Sequence, residues 1–265
     1  MKKYILSALI LMATGLQTMW AQKLLIYKTD SQIEEYEVSE LDSIVFVSKK
    51  QMPSYLTCPD DNHPHVIDLG LPSGTKWCCC NVGASSPEEY GGYYAWGETS
   101  VKNVYNELTY LFYDGLKLDN NGDGYYDENR IVINIGSDIA GTSYDVAHVR
   151  MGGDWRMPSF EQQIELMANC DRLWTQQNGV NCILLTGPSG GQILLPTAGV
   201  RWNDELLFAG KEGNYWSSTL VPDPSFDSCA YDIGVFWSSS HSGDCSWGYY
   251  GDNRAFGYTV RAVCK

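Results

Sequence analysis

The chain has 265 residues, with 32 Asp and Glu against 18 Lys and Arg, which gives a formal net charge of −14. Such an acidic chain repels nucleic acid and anionic lipid, so neither is expected as a partner. The charge suits cations or neutral ligands, or it serves only to keep the protein soluble.

The N-terminus has the pattern of a secretory signal peptide. Lys2 and Lys3 precede an apolar run at 4–16, and Ala21 stands at a plausible cleavage position. This predicts a signal peptide over residues 1–21. Neither the apolar run nor any later segment is long enough for a transmembrane span. We therefore expect an exported protein that is extracellular, at the cell surface or associated with the outer membrane.

Three further segments follow. Residues 22–50 alternate in the manner of a small β unit, with strand-like KLLIYK at 23–28 and turn chemistry at 29–31. Residues 51–64 contain three prolines and little periodicity, which indicates a linker. Residues 65–265 form one domain-sized block that is rich in glycine and aromatic residues.

Within 65–265 one helix is clearly signalled. Ser159 and Gln162 have capping-box spacing, and apolar residues recur at helical spacing until about Asp171. Short strands are predicted elsewhere, including a hairpin in which 182–186 and 192–196 flank the turn GPSGG. That turn matches G-x-S-x-G, but a hydrolase nucleophile elbow requires a helix after it, where we predict a strand. Mostly antiparallel strands with one or two helices predict the α+β class.

Seven ordered motifs carry a family resemblance. They are VIDLGLPSGTKW at 66–77, CNVGA at 80–84, YAWGET at 94–99, GDWRMPS at 153–159, LPTAG at 195–199, YWSS at 215–218 and VRAVC at 260–264. Together they resemble the Fibrobacter succinogenes major paralogous domain family. The resemblance implies a C-type-lectin-like domain related to the formylglycine-generating-enzyme fold, and it transfers fold better than function. We expect four motif tryptophans to be core residues: Trp77, Trp96, Trp155 and Trp216.

Nine cysteines in an exported chain favour disulfides or buried thiols. Cys78, Cys79 and Cys80 are consecutive, so on a regular strand they would alternate between faces. We predict a disulfide between Cys80 and Cys264, because both flank family motifs at opposite ends of one domain. The spacing of Cys and His resembles no structural zinc site. The linker sequence His-Pro-His at 63–65 is only a weak hint of metal binding.

Residues 119–130 have partial calcium-loop spacing. Oxygen side chains fall at loop positions 1, 3, 5 and 9 and glycine at position 6, but Arg130 replaces the bidentate Glu of position 12. The alternative is a surface turn rich in Asn, Asp and Gly. The predicted ligands of a weak calcium site are Asp119, Asn121, Asp123 and Asp127.

The C-terminal stretch WSSSHSGDCSWGYYGDN at 237–253 has the composition of a binding surface. Tyrosine and tryptophan supply rigid contact area, and Ser, Gly and Asn supply adaptable hydrogen bonds. The alternative is a long surface loop. The predicted ligand-binding residues are Trp237, His241, Trp247, Tyr249, Tyr250 and Asn253. By contrast, we interpret the lectin-like triplet Trp-Asn-Asp at 202–204 as a coincidence, because its partner motifs are missing.

These observations favour a non-enzymatic binding or adhesion protein whose ligand is a glycan or protein on a host or neighbouring cell. The composition at 237–253 also resembles the diversified C-terminal segments of some receptor-binding proteins in this fold class. One alternative is an enzyme of the sulfatase-modifying type, but the reactive cysteine pair of those relatives has no match here. The other is a structural component of the cell surface.

Overall fold

The computed structural model describes residues 23–27, 33–37, 62–114, 131–237 and 245–265. The predicted signal peptide lies outside these residues. The chain divides into two compact units, Met1–Met52 and Pro53–Lys265. In the first unit, strands β1 (Lys23–Tyr27) and β2 (Ile33–Glu37) pair in antiparallel fashion. Strand β1 confirms the strand-like pattern at 23–28.

In the described part of the second unit, short strands predominate and two α-helices interrupt them. The strands are β3 Val66–Asp68, β4 Lys76–Asn81, β5 Tyr113–Asp114, β6 Ile131–Val132, β7 Asp171–Gln177, β8 Val180–Thr186, β9 Gln192–Pro196, β10 Val200–Trp202, β11 Glu205–Leu207, β12 Glu212–Leu220, β13 Cys229–Trp237, β14 Cys245–Asn253 and β15 Arg261–Cys264. The helices are α1 Val146–Met151 and α2 Phe160–Asn169. Neither described helix has the length and apolarity that crossing a bilayer requires.

The strands form several small sheets, and all pairs of named strands are antiparallel. Among the described residues, three sheets have three strands each, in the orders β7-β8-β9, β12-β13-β14 and β15-β4-β3, while β1-β2, β5-β6 and β10-β11 are two-stranded. The last of the three-stranded sheets pairs the final strand of the chain with β4. The architecture is therefore mostly β with few helices, which is compatible with the predicted α+β class.

Helix α2 begins where the capping box predicted. The Ser159 side chain accepts a hydrogen bond from the Gln162 amide, and the Gln162 side chain accepts one from the Ser159 amide. The fully buried positions of the helix are Gln163 and Leu166. Burial of Gln163 is tolerated because its side-chain amide donates to the Tyr215 carbonyl oxygen at 2.9 Å.

The core contains most of the predicted aromatic anchors. Trp77, Trp96 and Trp216 are at most 1% exposed, which confirms them as core residues, whereas Trp155 is half-buried against the same core. The indole nitrogens of Trp96 and Trp216 donate to backbone carbonyl oxygens, so burying these rings leaves neither polar atom unpaired. The predicted hairpin is also confirmed, since β9 follows β8 directly after the GPSGG turn.

The predicted disulfide between Cys80 and Cys264 is wrong. Both residues are free thiols. Cys264 lies opposite Lys76 in the β15–β4 register, four positions before Cys80. Four residues of strand span roughly 10–13 Å, which exceeds the Cα separation of about 7 Å that a disulfide tolerates.

Candidate ligand-binding pocket beside strand β14

Much of the predicted C-terminal surface is a strand rather than a loop. Trp237 ends β13, and Trp247 and Asn253 lie in β14, whose backbone pairs with β13 without a register shift from Cys229 to Trp237. His241 lies outside the described residues. The stretch lacks aliphatic alternation, yet it forms a strand because the apolar strand β13 provides a complete row of hydrogen-bonding partners. In the described sheet, β14 is an edge strand.

Tyr249 and Tyr250 are exposed on opposite faces of this sheet. Tyr249 is 58% exposed and packs edge-on against Phe160, with ring centroids 5.4 Å apart. Phe160 in turn stacks on Tyr231 at 3.9 Å. Tyr250 is 45% exposed and lies on the other face. The two tyrosines therefore cannot contact the same small ligand, although both are accessible.

Tyr250 lines a pocket of about 520 Å³ between its sheet and the β10–β11 hairpin. Strand alternation places Asn214, Gly234 and Asp252 on the same face as Tyr250. The pocket is rich in aromatic rings, which come from three separate parts of the chain: Trp202, Phe208, Phe236, Tyr250, Phe256 and Tyr258. Its volume falls in the range that is typical of small-molecule sites.

Two glycines allow the Tyr250 ring to lie over the sheet. A Cβ atom at Gly234 would meet Cε2 of Tyr250 at 3.0 Å, and one at Gly248 would meet its hydroxyl oxygen at 2.8 Å. On the opposite wall, Trp202 and Phe256 pack edge to face with centroids 4.6 Å apart. Aromatic rings therefore line the pocket from both sides, with Tyr250 on the sheet and Trp202 and Phe256 opposite it.

Acidic and amide groups lie among these rings. Asp252 accepts a hydrogen bond of 2.8 Å from the Tyr258 hydroxyl, and Glu212 and Asn214 also line the pocket. Beneath them Asp232 is fully buried, and the Asn214 side-chain amide donates to it at 3.4 Å. Burial raises the pKa of Asp232 well above its usual range, and the charge of Asp252 raises it further.

One aromatic residue at the pocket has a strained backbone. Phe208 is 53% exposed and has a φ of 59°, in the left-handed region that residues other than glycine rarely adopt. It follows directly after β11 and, like Leu207, lines the pocket. A left-handed backbone costs conformational energy in a residue other than glycine, and residues strained in this way cluster at functional sites. Sequence reasoning missed Phe208, because no local pattern signals it.

The Trp-Asn-Asp triplet forms the turn between β10 and β11. Trp202 lines the pocket, whereas Asn203 pairs with Tyr105 through backbone hydrogen bonds and accepts from the Asn106 side chain at 3.0 Å. Within the triplet, the Trp202 ring thus belongs to the candidate site, whereas Asn203 supports the fold. Because the triplet was interpreted from the sequence as a coincidental match, Trp202 was not among the predicted site residues.

The side chain of Asn253 makes hydrogen bonds within the protein. Its side-chain oxygen accepts from the Tyr113 hydroxyl at 3.1 Å and from the Ala255 amide at 3.0 Å, and its nitrogen donates to Glu107 at 2.7 Å. These contacts anchor the end of β14. Asn253 therefore supports the fold and does not line the pocket.

The predicted calcium ligands Asp119, Asn121, Asp123 and Asp127 lie outside the described residues. The flanking residues pair as β5 and β6, with Asp114 opposite Ile131. The calcium site therefore stays a prediction.

A second group of side chains has the chemistry of a metal site. The structure brings Cys79 to the two histidines of the linker, His63 and His65, with one potential ligand atom of each within 4.8 Å of the others. Hydrogen bonds with Cys78 and Cys80 lower the pKa of the Cys79 thiol. Sequence reasoning noted the two histidines but missed the cysteine, which is 14 residues or more away along the chain.

Comparison of the chain with protein-family models, with curated proteins and with solved structures gives no match.

Proposed function

We propose that this protein is an exported, non-enzymatic binding module that holds a neutral glycan in the pocket between the β10–β11 hairpin and strand β14. The observation that carries the proposal is the combination of aromatic rings and hydrogen-bonding carboxyl and amide groups around one cavity. Aromatic faces pack against the apolar faces of sugar rings, and the polar groups bind hydroxyls and fix their orientation.

Charge favours a neutral ligand over an acidic one. The whole chain carries a net charge of −14, and Glu212 and Asp252 line the pocket itself. A sialylated or sulfated glycan would bring its negative charge close to these carboxylates. Like charges that are brought together in a partly desolvated site oppose binding.

Exposure distinguishes this cavity from ordinary packing. Tyr250 and Phe208 are each about half exposed, although burial of either ring in the core would stabilise the fold. Apolar rings grouped at a surface cavity are typical of interaction sites. The left-handed backbone of Phe208 adds a further cost that a purely structural ring would not require.

For the scaffold, we propose the C-type-lectin-like fold that the seven motifs resemble. Short antiparallel strands, two short helices and a core built on the motif tryptophans Trp77, Trp96 and Trp216 support this proposal. We further propose that the protein acts at the cell surface or outside the cell, in adhesion to glycans of a host or neighbouring cell.

A glycan array probed with the purified chain tests the proposal. We expect binding to one or more neutral oligosaccharides. Tyr250→Ser should lower the affinity about 30-fold, since aromatic hot spots contribute ~2 kcal/mol or more. Tyr249→Ser is the matched control, because this ring is also exposed but lies on the opposite face, and it should retain binding within a few-fold.

Both variants should melt within a few degrees of the wild type, because neither ring is part of the core. Unchanged glycan affinity in Tyr250→Ser would place the binding surface elsewhere. Failure of the wild type to bind any neutral glycan would refute the proposed ligand class.

A further inference from the structure

Three side chains converge where the segment before β3 crosses strand β4. The Nδ1 atom of His63 lies 3.3 Å from the Cys79 sulfur, and Nδ1 of His65 lies 3.8 Å from it. The two imidazole rings are 5.0 Å apart and nearly perpendicular, at 80°. Backbone hydrogen bonds fix the register here, because the Cys79 amide donates to the His65 carbonyl oxygen at 3.0 Å.

An irregularity in β4 positions the sulfur. In the pairing of β4 with β15, Asn81 lies opposite Arg261 and Trp77 opposite Val263, so four steps on β4 match two on β15. The three consecutive cysteines fall within this bulge. A bulge breaks the strict alternation of faces that a regular strand imposes. The alternation expected of a regular strand does not apply within the bulge, and the sulfurs of Cys79 and Cys80 are only 3.3 Å apart.

Arg261 stabilises the bulge. Its Nη1 atom donates to the carbonyl oxygens of Cys78 and Cys79 at 3.1 and 2.6 Å, and its Nε atom donates to the Asn81 side chain at 2.9 Å. Arg261 is itself 1% exposed. The position of Cys79 is thus determined by buried hydrogen bonds of the sheet, and the cysteine is held in place before any ion binds.

We propose that His63, His65 and Cys79 form a zinc site. With Zn–N of about 2.05 Å and Zn–S of about 2.3 Å, tetrahedral geometry places a nitrogen and a sulfur ligand about 3.6 Å apart. The two observed nitrogen–sulfur distances, 3.3 and 3.8 Å, lie on either side of this value. The two imidazole nitrogens lie within 4.8 Å of each other, against about 3.3 Å in a tetrahedral zinc site, so the histidine side chains would move to seat the ion.

The donor atoms determine the class of metal. Imidazole nitrogen and thiolate sulfur suit Zn²⁺ and similar borderline or soft cations, whereas Ca²⁺ and Mg²⁺ require oxygen. On binding, Cys79 gives up its thiol proton and the sulfur becomes the anionic ligand. This site therefore differs in chemistry and position from both the glycan pocket and the predicted calcium loop.

Three protein ligands leave one tetrahedral position, which falls to water or to a ligand from outside. Cys79 is fully buried, while His63 and His65 are half-buried, so the ion would enter from the histidine side. Because binding joins the segment before β3 to β4, zinc should stabilise the fold and raise the melting temperature.

The test uses the full chain without a histidine tag, reduced and freed of metal with a chelator, and then titrated with Zn²⁺ or Co²⁺. We expect one equivalent to bind and the melting temperature to rise. Cobalt should give a thiolate charge-transfer band and the visible bands of a tetrahedral site. His63→Gln and His65→Gln should each weaken zinc affinity by more than about 100-fold. Removing only a residue that hydrogen-bonds to a metal ligand already costs up to about 100-fold, and these variants remove the ligand itself.

Two control variants separate this site from other thiols and histidines. Cys182→Ser removes a buried thiol of β8, and His148→Gln removes a histidine of α1, and both should bind zinc like the wild type. Cys79→Ser should abolish the charge-transfer band, and the two histidine variants keep the test valid if Cys79→Ser does not fold. The proposal is overturned if the wild type binds no zinc, or if both histidine variants keep wild-type affinity and the cobalt spectrum.

Discussion

The fully buried Asp232 lies on the same face of the sheet as Asp252 of the neighbouring strand, and burial together with the negative charge of Asp252 raises the pKa of the Asp232 carboxyl. The two residues lie diagonally across β13 and β14, because Asp232 is opposite Tyr250 and Asp252 is two positions further along. Burial and the neighbouring negative charge both disfavour ionisation of Asp232. Beneath the candidate pocket there is therefore an acid whose neutral form the fold favours.

This acid makes stability depend on pH. Since the folded state raises the pKa of Asp232, its stabilising contribution is fully present below the unfolded pKa of about 3.9 and is lost as pH rises through the folded value. Asp232→Asn stays uncharged, so its melting temperature should exceed that of the wild type increasingly as pH rises from 4 to 8. The exposed Asp171→Asn is the control. A difference between Asp232→Asn and wild type that does not change with pH would contradict this interpretation.

Phe208 offers a test that separates binding from stability. Glycine adopts the left-handed backbone of this position without the cost that a side chain incurs. Phe208→Gly should therefore keep or slightly raise the free energy of unfolding, while the loss of the ring weakens glycan binding at least tenfold. Denaturant unfolding and glycan titration measure the two effects. A large loss of stability would show instead that the ring is a packing element.

Arg261 is predicted to be the most sensitive charged residue of the β4 bulge. Arg261→Met leaves the buried carbonyl oxygens of Cys78 and Cys79 without their donor, and each unsatisfied buried group costs about 1–3 kcal/mol. We expect the free energy of unfolding to fall by about 3 kcal/mol or more in urea titrations. The exposed Lys211→Met should change it by less than about 0.5 kcal/mol. A loss below 1 kcal/mol in Arg261→Met would mean that water replaces the guanidinium.

The calcium loop gives a prediction from sequence alone. Millimolar calcium should raise the melting temperature, with a dissociation constant of ~10⁻⁴–10⁻³ M, because Arg130 replaces the bidentate ligand. Asp123→Ala should abolish this rise, whereas His63→Gln should retain it. An unchanged melting curve at millimolar calcium in the wild type would count against the site.

Signals within a few residues were sufficient for several parts of the fold. Ser159 and Gln162 predicted the start of α2, and the GPSGG turn predicted the β8–β9 hairpin. Such features depend on hydrogen bonds between near neighbours, so the local sequence specifies them. The large size and apolar surface of Trp77, Trp96 and Trp216 were likewise enough to predict that they are buried.

The candidate sites required long-range pairing that no local pattern specifies. The pocket joins Trp202 to Tyr250, and the metal-type cluster joins His63 to Cys79. The register of β14 against β13 places Tyr249 and Tyr250 on different faces, although composition alone suggested one continuous surface. The bulge in β4 depends on its pairing with β15, almost two hundred residues further along the chain. Strand partners and register follow from packing of the whole unit, and a shift of one residue exchanges the faces of every side chain in a strand.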